Sequence, residues 1–220
     1  MTPPLKTVLG IRIRESAFTL VELLVVVAII GVLATLVTPA VTTMMKGSQL
    51  TQASQMLHDQ LAFARQSALT KNRPVEVRFY RYGDPEMPGE KASEPGSGRF
   101  RALQCFEILD DGTASALTKV QKLPASVVLD SGSTLSPLIA KPKTWTATDQ
   151  AAKIPRVGTS YECRVFRFLP DGSTDLPKGS SLSFVTLHGF NDGDLLTKPP
   201  ANYATIQVDA YNGHIRSFRP

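Results

Sequence analysis

Residues 18–46 read FTLVELLVVVAIIGVLATLVTPAVTTMMK, and this stretch decides how the rest of the chain is placed. From Leu23 to Val41, 15 of 19 residues are apolar, and no charged residue occurs between Glu22 and Lys46. A helix rises about 1.5 Å per residue, so about 20 such residues cover the ~30 Å hydrocarbon core of a bilayer. The sequence therefore predicts a membrane-spanning helix.

The residues around this run predict its orientation and its processing. Lys6, Arg12 and Arg14 precede it, and the positive-inside bias keeps a short basic N-terminus in the cytoplasm and sends the large remainder outward. Three interpretations compete: a plain anchor, a secretory signal peptide cut near Ala40, and a leader peptide cut earlier. Glu22 favours the last, because a carboxylate at the edge of an apolar run needs a partner that an anchor or a signal peptide does not supply.

The residues from Ala17 to Leu24, AFTLVELL, resemble the N-terminal methylation motif of type IV pilins and type II secretion pseudopilins. The resemblance implies that prepilin peptidase cuts between Ala17 and Phe18, and that Phe18 becomes an N-methylated terminus. It implies that Glu22 pairs with the amine of a neighbouring subunit during assembly. It also implies that Pro39 kinks the helix, because proline lacks the backbone donor. The chain departs from the family in one place, since Ala17 stands where the family usually has glycine.

Helical periodicity continues beyond the uncharged run. Pro74 disfavours the α conformation in the residue before it, so this helix is predicted to end near residues 71–73. The predicted organisation is a leader over 1–17, a transmembrane half-helix over 18–45, a periplasmic amphipathic half-helix over 46–73 and a β-rich periplasmic head over 74–220. One apolar stripe recurs at helical spacing, namely Leu50, Ala53, Leu57, Leu61, Ala64 and Ala68.

The head sequence is typical of strands separated by turns. Val75, Val77 and Phe79 alternate with the residues at 76, 78 and 80, which predicts a half-buried strand. Residues 131–159 show no pattern that predicts an element. Further strands are predicted over 99–109, 127–129, 161–169, 182–187 and 203–210.

The C-terminal end carries the clearest turn signal. Asn212-Gly213 predicts a two-residue type I′ hairpin turn, which pairs Asp209 with Arg216 across the two strands. Together with the long helix, these strands predict the α+β fold class. We expect a long N-terminal transmembrane and amphipathic helix packed on an antiparallel β-sheet head, which is a pilin-like arrangement.

Three short head segments resemble the H-type pseudopilins and the FimT-like minor pilins: LPASVVL at 123–129, FLPDGS at 168–173 and GHIR at 213–216. The chain length and the Arg-Pro terminus are also similar to the D member of a prepilin cassette found in Verrucomicrobia. The resemblance implies a structural subunit, a minor pilin or pseudopilin, that assembles into a type IV pilus or a secretion pseudopilus. It implies prepilin peptidase and other such subunits as partners, and an inner-membrane location.

Composition and motifs argue against other functions. A net charge of +5 on 220 residues is too small to imply a nucleic-acid partner. No Walker A, H-E-x-x-H or G-x-S-x-G motif occurs, so the sequence predicts no enzyme. His58, His188 and His214 are scattered singly, and we interpret them as surface or turn residues.

Two acidic stretches bear on cofactors. Residues 110–112 read DDG and residues 191–194 read NDGD, which supplies enough oxygen atoms to suggest Ca²⁺. Neither stretch has the spacing of an EF-hand loop, and tight turns use the same residue types. Turn chemistry is therefore favoured, and no cofactor or metal is predicted.

The two cysteines leave an alternative open. Cys105 and Cys163 lack C-x-x-C spacing, so neither a zinc site nor a thioredoxin-like motif is indicated. In an oxidising periplasm they either form one disulfide or remain two buried thiols.

The C-terminal segment leaves a second alternative open. Arg216 and Arg219 flank Phe218, and the resemblance to FimT-like pilins implies DNA contact through such a basic terminus. An ion pair of Arg216 with Asp209 is the simpler interpretation. The competing functions are therefore a DNA-binding minor pilin for DNA uptake and a plain membrane-anchored periplasmic binding domain.

Overall fold

One long helix, α1, precedes the head. A computed structural model describes residues 19–87, 89–90, 98–140, 153–178 and 183–220, and over residues 35–43 it describes the backbone alone. Helix α1 runs from Leu20 to Lys71, a length of 52 residues. Asn72 then adopts a left-handed φ of 53° ahead of Pro74, which ends the helix where the sequence predicts. The chain divides after Thr43 into two compact units, which we describe separately.

The N-terminal unit bears on the predicted transmembrane segment. Among the residues described with their side chains, no helical stretch combines the length and the apolarity needed to cross a membrane. The predicted span over 18–45 is therefore not confirmed. The predicted leader and Phe18 lie outside the described residues.

The head is built on one sheet. Its strands are β1 Val75–Tyr82, β2 Arg99–Ile108, β3 Ala114–Ala116, β4 Gln121–Lys122, β5 Val127–Leu129, β6 Glu162–Phe168, β7 Phe184–Gly189, β8 Tyr203–Val208 and β9 Ile215–Phe218. The pairings described are all antiparallel, in the order β6-β1-β2-β5-β7-β8-β9, with β3 and β4 pairing beside β2. The predicted strands are present with ends shifted by one or two residues, whereas β3 and β4 were not predicted.

The core lies between α1 and one face of this sheet. The sheet side of the core includes Val77, Phe79 and Phe166. Full burial of one leucine contributes about 1.5–3 kcal/mol, so the three leucines of the helical stripe are a major part of this contact. The predicted stripe is thereby confirmed, since all six of its residues are at most 2% exposed: Leu50, Ala53, Leu57, Leu61, Ala64 and Ala68.

Strand β1 is buried on both faces, and the prediction of a half-buried strand is wrong. Glu76 and Arg78 are 2% and 1% exposed. Arg78 Nε donates to Glu76 Oε1 at 2.6 Å, and its guanidinium lies 3.9 Å from the ring centre of Phe106. Arg167 Nε donates to the other oxygen of Glu76 at 2.9 Å. Because these charges are paired and hydrogen-bonded, they tolerate burial that unpaired charges would not.

A second, smaller apolar cluster covers this other face. Ile154 and Val157, from the 131–159 stretch whose sequence predicts no element, belong to it. Short helix α2, Pro137–Ala140, is a further element from the unpatterned stretch. The cluster includes Tyr80, Tyr82, Ala102, Ile154, Val157, Tyr161, Cys163 and Val165.

Two Asp-Gly turns share one geometry. Asp111 Oδ1 accepts the backbone N–H of Thr113 at 2.9 Å and its hydroxyl at 2.7 Å. Asp171 Oδ1 accepts the same two groups of Ser173, again at 2.9 and 2.7 Å. The glycine that follows each aspartate has a φ of 81°. Both carboxylates therefore close turns, in agreement with the turn interpretation of residues 110–112.

The C-terminal hairpin has a different register from the predicted one. Gln207 pairs with Arg216, and Val208 pairs with Ile215. Six residues, 209–214, therefore connect the strands in place of a two-residue turn. The carboxylate of Asp209 accepts the backbone N–H of Tyr211 at 2.8 Å, so the predicted cross-strand pair with Arg216 is wrong.

Tertiary contacts explain this longer connection. Thr174 N–H donates to the carbonyl of Ala210 at 3.2 Å, and Arg65 Nε of α1 donates to the carbonyl of Asn212 at 3.0 Å. Gly213, at a φ of 63°, lies directly against the carbonyl of Gly172 in the second Asp-Gly turn. The connection is therefore shaped by what it packs on as well as by its own turn residues.

We predict that Gly213→Ala destabilises the head far more than Gly112→Ala. Both glycines have a positive φ, which costs an alanine about 1 kcal/mol. A Cβ at Gly112 meets open space, whereas a Cβ at Gly213 overlaps the Gly172 carbonyl and lies 3.1 Å from Phe168. We therefore expect a loss of about 3 kcal/mol for Gly213→Ala, since overpacking adds about 1–3 kcal/mol. Urea unfolding of the full chain in detergent, followed by circular dichroism, measures both; equal losses would contradict the packing argument.

Candidate functional site

The first described part of α1 is an exposed apolar surface. Every described residue from 19 to 34 is solvent-exposed in the isolated chain, and Glu22 is the one charged residue among them. Apolar side chains surround the helix on all sides there, including Leu20 at 80% and Val32 at 62% exposure. A helix that is apolar all round needs a cover of lipid or of other protein.

Glu22 lies in the first turn of this helix. Thr19 precedes the helix, and its Oγ1 accepts the backbone N–H of Glu22 at 3.2 Å, as an N-cap does. The carboxylate is thus placed at the positive end of the helix, where an anion is favoured. Ala17 and Phe18 lie outside the described residues, so their roles stay predictions. Helix α1 continues through Pro39, whose side chain belongs to the stretch described by backbone alone, and the predicted kink stays a prediction.

The two cysteines lie in different layers of the head. Cys105 on β2 belongs to the core under α1, whereas Cys163 on β6 belongs to the second cluster on the other face of the sheet. Strand β1 lies between them, so their Cα atoms are about 9.5 Å or more apart, beyond the ~7 Å that a disulfide spans. Both are free, buried thiols. Of the two predicted alternatives, a disulfide or two buried thiols, the structure has the two thiols. Burial raises the pKa of each thiol to about 12, which keeps both protonated.

The two C-terminal arginines differ in their contacts. Arg216 on β9 is exposed. Arg219 is also exposed, yet its guanidinium donates to the Thr51 hydroxyl of α1, to the Gly47 carbonyl at 3.4 Å and to Asn202 Oδ1 at 3.3 Å. These contacts fasten the C-terminus to the helix. DNA contact through the pair stays a prediction.

A buried ion pair that sequence analysis missed lies at the end of β7. His188 and Asp130 are both fully buried, with His188 Nε2 3.5 Å from Asp130 Oδ2. His188 Nδ1 lies 2.9 Å from the carbonyl of Gly189, which only accepts, so this nitrogen carries a proton. The carboxylate also accepts the backbone N–H groups of Gly132 at 2.8 Å and Leu196 at 3.0 Å. The interpretation of His188 as a surface or turn residue is wrong, whereas His214 is exposed.

The environment of this pair shifts both pKa values. Burial lowers the pKa of His188, but the nearby carboxylate of Asp130 and the carbonyl of Gly189 outweigh it, so the pKa is raised overall. Burial raises the pKa of Asp130, but the nearby His188 ring and the hydrogen bonds from the N–H groups of Leu196 and Gly132 outweigh it, so that pKa is lowered. Both shifts therefore favour the charged forms, an imidazolium beside a carboxylate, and the pair joins β7 to the loops at 130–132 and 193–196.

The head contains a cavity of about 450 Å³. Its walls come from α1, from Met87 and from the segments 125–127, 189–192 and 200–202. Leu50 and Val127, each 2% exposed, are buried apolar residues of the lining. Lys46 and Asp192 are its two charged residues. The first of the segments that resemble H-type pseudopilins and FimT-like pilins, 123–129, thus contributes one wall.

The described residues contain no group of three or more His, Cys, Asp or Glu side chains placed to hold a metal ion. Residues 191–194 are divided between two other tasks. Asp192 Oδ2 accepts the N–H of Gly189 at 3.0 Å, and Asp194 Oδ1 accepts the N–H of Ser131 at 2.9 Å. These carboxylates therefore hold loops in place. Binding of Ca²⁺ there stays an untested alternative.

Comparison with known proteins adds one sequence match. Residues 12–38 match the model of the prokaryotic N-terminal methylation motif, a stretch that includes the predicted cleavage site and Glu22. No curated protein matches the chain significantly. Nothing found bears on the Verrucomicrobia cassette, which stays a prediction.

Two minor subunits are among the similar solved structures. The minor pseudopilin EpsH from the Type 2 Secretion System of Vibrio cholerae is 11% identical, with a TM-score of 0.42 over 78% of this chain and 98% of that one. The type IV minor pilin FimU of Pseudomonas aeruginosa is 12% identical, with a TM-score of 0.40 over 79% of this chain and 93% of that one.

We predict that the His188–Asp130 pair makes the stability of the head depend on pH. Because the pKa of His188 is raised in the folded chain, the stabilisation is fully present below the unfolded pKa of about 6.5 and is lost as pH rises through the folded pKa. The temperature at the midpoint of thermal unfolding should therefore decrease as the pH rises above about 6.5. His188→Gln should cost about 3 kcal/mol at about pH 6, because it leaves a buried carboxylate unpaired.

The control is His214→Gln, which changes an exposed histidine of the terminal connection. This variant should keep the pH dependence of the parent chain. If His188→Gln kept it as well, the imidazolium assignment would be wrong.

Proposed function

We propose that this chain, a member of the type IV pilin and pseudopilin family by its N-terminal methylation motif, is a structural subunit of a pilus or of a type II secretion-like pseudopilus. The observation that carries the proposal is the exposed apolar helix over residues 19–34 with its one carboxylate, Glu22, inside the matched motif. The role is structural, and it requires no cofactor.

The apolar surface of the exposed helix would be covered in two different environments. Before assembly, lipid covers the apolar side chains; after assembly, the helices of neighbouring subunits cover them. Small and branched aliphatic side chains such as those of residues 24–33 pack closely against other helices in an apolar medium. The head, which has its own core, is then displayed along the filament.

Glu22 supplies the specific contact in this packing. A buried carboxylate is costly unless a cation pairs with it. Cleavage before Phe18 would create an α-amine four residues from Glu22, and in a filament the amine of one subunit pairs with the carboxylate of the next. Such a pair sets the axial position of each subunit.

The proposal extends to processing and location. Residues 1–17 form a leader that prepilin peptidase removes, and residues 18–45 hold the subunit in the inner membrane as a single pass. Residues 46–73 and the β-rich head over 74–220 lie in the periplasm or in an extracytoplasmic filament. The basic residues Lys6, Arg12 and Arg14 support this orientation.

We predict that prepilin peptidase produces a chain that begins at N-methylated Phe18. Intact mass and N-terminal sequencing of the membrane-extracted protein, with and without the peptidase, measure this directly. Ala17→Gly should be processed faster, because it restores the residue that the family usually has before the cut. A start at Met1 in the presence of the peptidase, or a start at Val41, would contradict the proposal.

We predict that Glu22→Ala lowers incorporation into sheared filaments at least about tenfold, because the neighbouring α-amine is left buried without its partner. Quantitative blotting of the sheared fraction against total protein is the measurement. Glu86→Ala is the matched control, because it removes an exposed carboxylate of the head, on the loop after β1. Wild-type incorporation of Glu22→Ala would show that the pair does not set the subunit position.

A further inference from the structure

The 450 Å³ cavity of the head is lined by apolar residues together with two charged residues. Its two charged lining residues have opposite signs, Lys46 from α1 and Asp192 from the loop after β7. Lys46 is exposed, and among the described residues no carboxylate forms an ion pair with it. Asp192 uses Oδ2 for the N–H of Gly189, and its hydrogen bonds leave Oδ1 available. The cavity thus presents one cation and one anion at an apolar pocket.

The position of Lys46 in the chain indicates what meets this pocket. Lys46 is the first charged residue after Glu22, at the end of the uncharged run. Met44 and Met45, immediately before it, are 80% and 56% exposed. Exposed apolar residues followed by a lysine are typical of the boundary between lipid chains and headgroups, where lysine extends its ammonium to the phosphates. If the proposed function holds, Lys46, which lines the cavity, therefore lies at headgroup level.

We propose that this cavity binds a phosphatidylethanolamine molecule of the membrane. Lys46 contacts the phosphate, Asp192 contacts the primary ammonium, and the apolar walls at Leu50 and Val127 cover the glycerol end of the acyl chains. An anionic headgroup without an ammonium leaves Asp192 unpaired, and a choline headgroup has no N–H to donate to it. The two opposite charges thus favour a zwitterionic headgroup whose ammonium carries N–H donors. This inference rests on the proposed membrane location.

Photolabelling of the full chain in lipid vesicles tests the proposal. Vesicles contain phosphatidylethanolamine, phosphatidylglycerol and phosphatidylcholine in equal parts, with a trace of one headgroup type carrying a diazirine near the glycerol. Mass spectrometry then quantifies label on peptides that contain residues 125–127 and 189–192. We expect about five-fold more label from the ethanolamine probe than from the other two, the ratio that ~1 kcal/mol produces.

Matched variants separate the two charges. Asp192→Asn keeps an acceptor for Gly189 but loses the charge, so it should remove the preference for ethanolamine over glycerol headgroups. Lys46→Gln should lower labelling by all three probes, whereas Lys119→Gln, an exposed lysine outside the cavity, should change nothing. Ala201→Phe narrows the mouth and should lower labelling, and Ala116→Phe on β3 is its control.

The possible results are distinguishable. Equal labelling by the three headgroups, or labelling that Asp192→Asn leaves unchanged, overturns the lipid proposal alone. If Ala201→Phe impairs filament incorporation while labelling stays the same, the cavity holds a neighbouring subunit's side chain and the lipid proposal is wrong. If alkaline carbonate releases the chain from the vesicles, the membrane location itself fails, and both proposals fall together.

Discussion

The burial of one stripe of α1 against the sheet is the contact on which the head depends. The six residues of this stripe share one core with strands that are far apart in the sequence. The helix therefore holds together β1, which follows it directly, and β8, which lies more than 130 residues later. The end of the helix is fixed in turn, because Lys71 Nζ lies 2.5 Å from Glu107 Oε2 and Arg73 Nη1 lies 3.2 Å from Glu107 Oε1 on β2. With the helix in this position, Arg65 donates a hydrogen bond to the carbonyl of Asn212 in the connection between β8 and β9.

The same helix has two halves with opposite requirements. Over residues 50–68 its apolar side chains lie in one stripe, and a sheet covers them. Over residues 20–33 they surround the helix, and no single face of one domain satisfies such a surface. The cover for these apolar side chains must therefore come from outside the chain. The carboxylate of Glu22, at the edge of this apolar surface, then needs a cation from outside the chain as well. This is the physical reason that the motif and the exposed helix point to assembly.

Prediction from the sequence was successful where the cause is local. The helical stripe, the stop before Pro74 and the Asp-Gly turn at residues 110–112 follow from periodicity, from proline sterics and from the hydrogen bonds of a short side chain to its own backbone. The failures have causes that are distant in sequence. Glu76 and Arg78 are buried because Phe106 and Arg167 pair with them from neighbouring strands. The hairpin is longer than Asn212-Gly213 predicts because Gly213 packs on Gly172.

The sequence by itself determined that the chain has a long helix with one uncharged end, a β-rich head and the residues of a processing and assembly motif, because each of these is a pattern of neighbours along the chain. Only the tertiary structure decided which charges are buried, that Cys105 and Cys163 lie on opposite faces of the sheet, and that His188 meets Asp130. It also brought Lys46 and Asp192, 146 residues apart in the sequence, to one cavity. These arrangements depend on which strands are neighbours, and strand order is set by packing over the whole head, which no local pattern encodes.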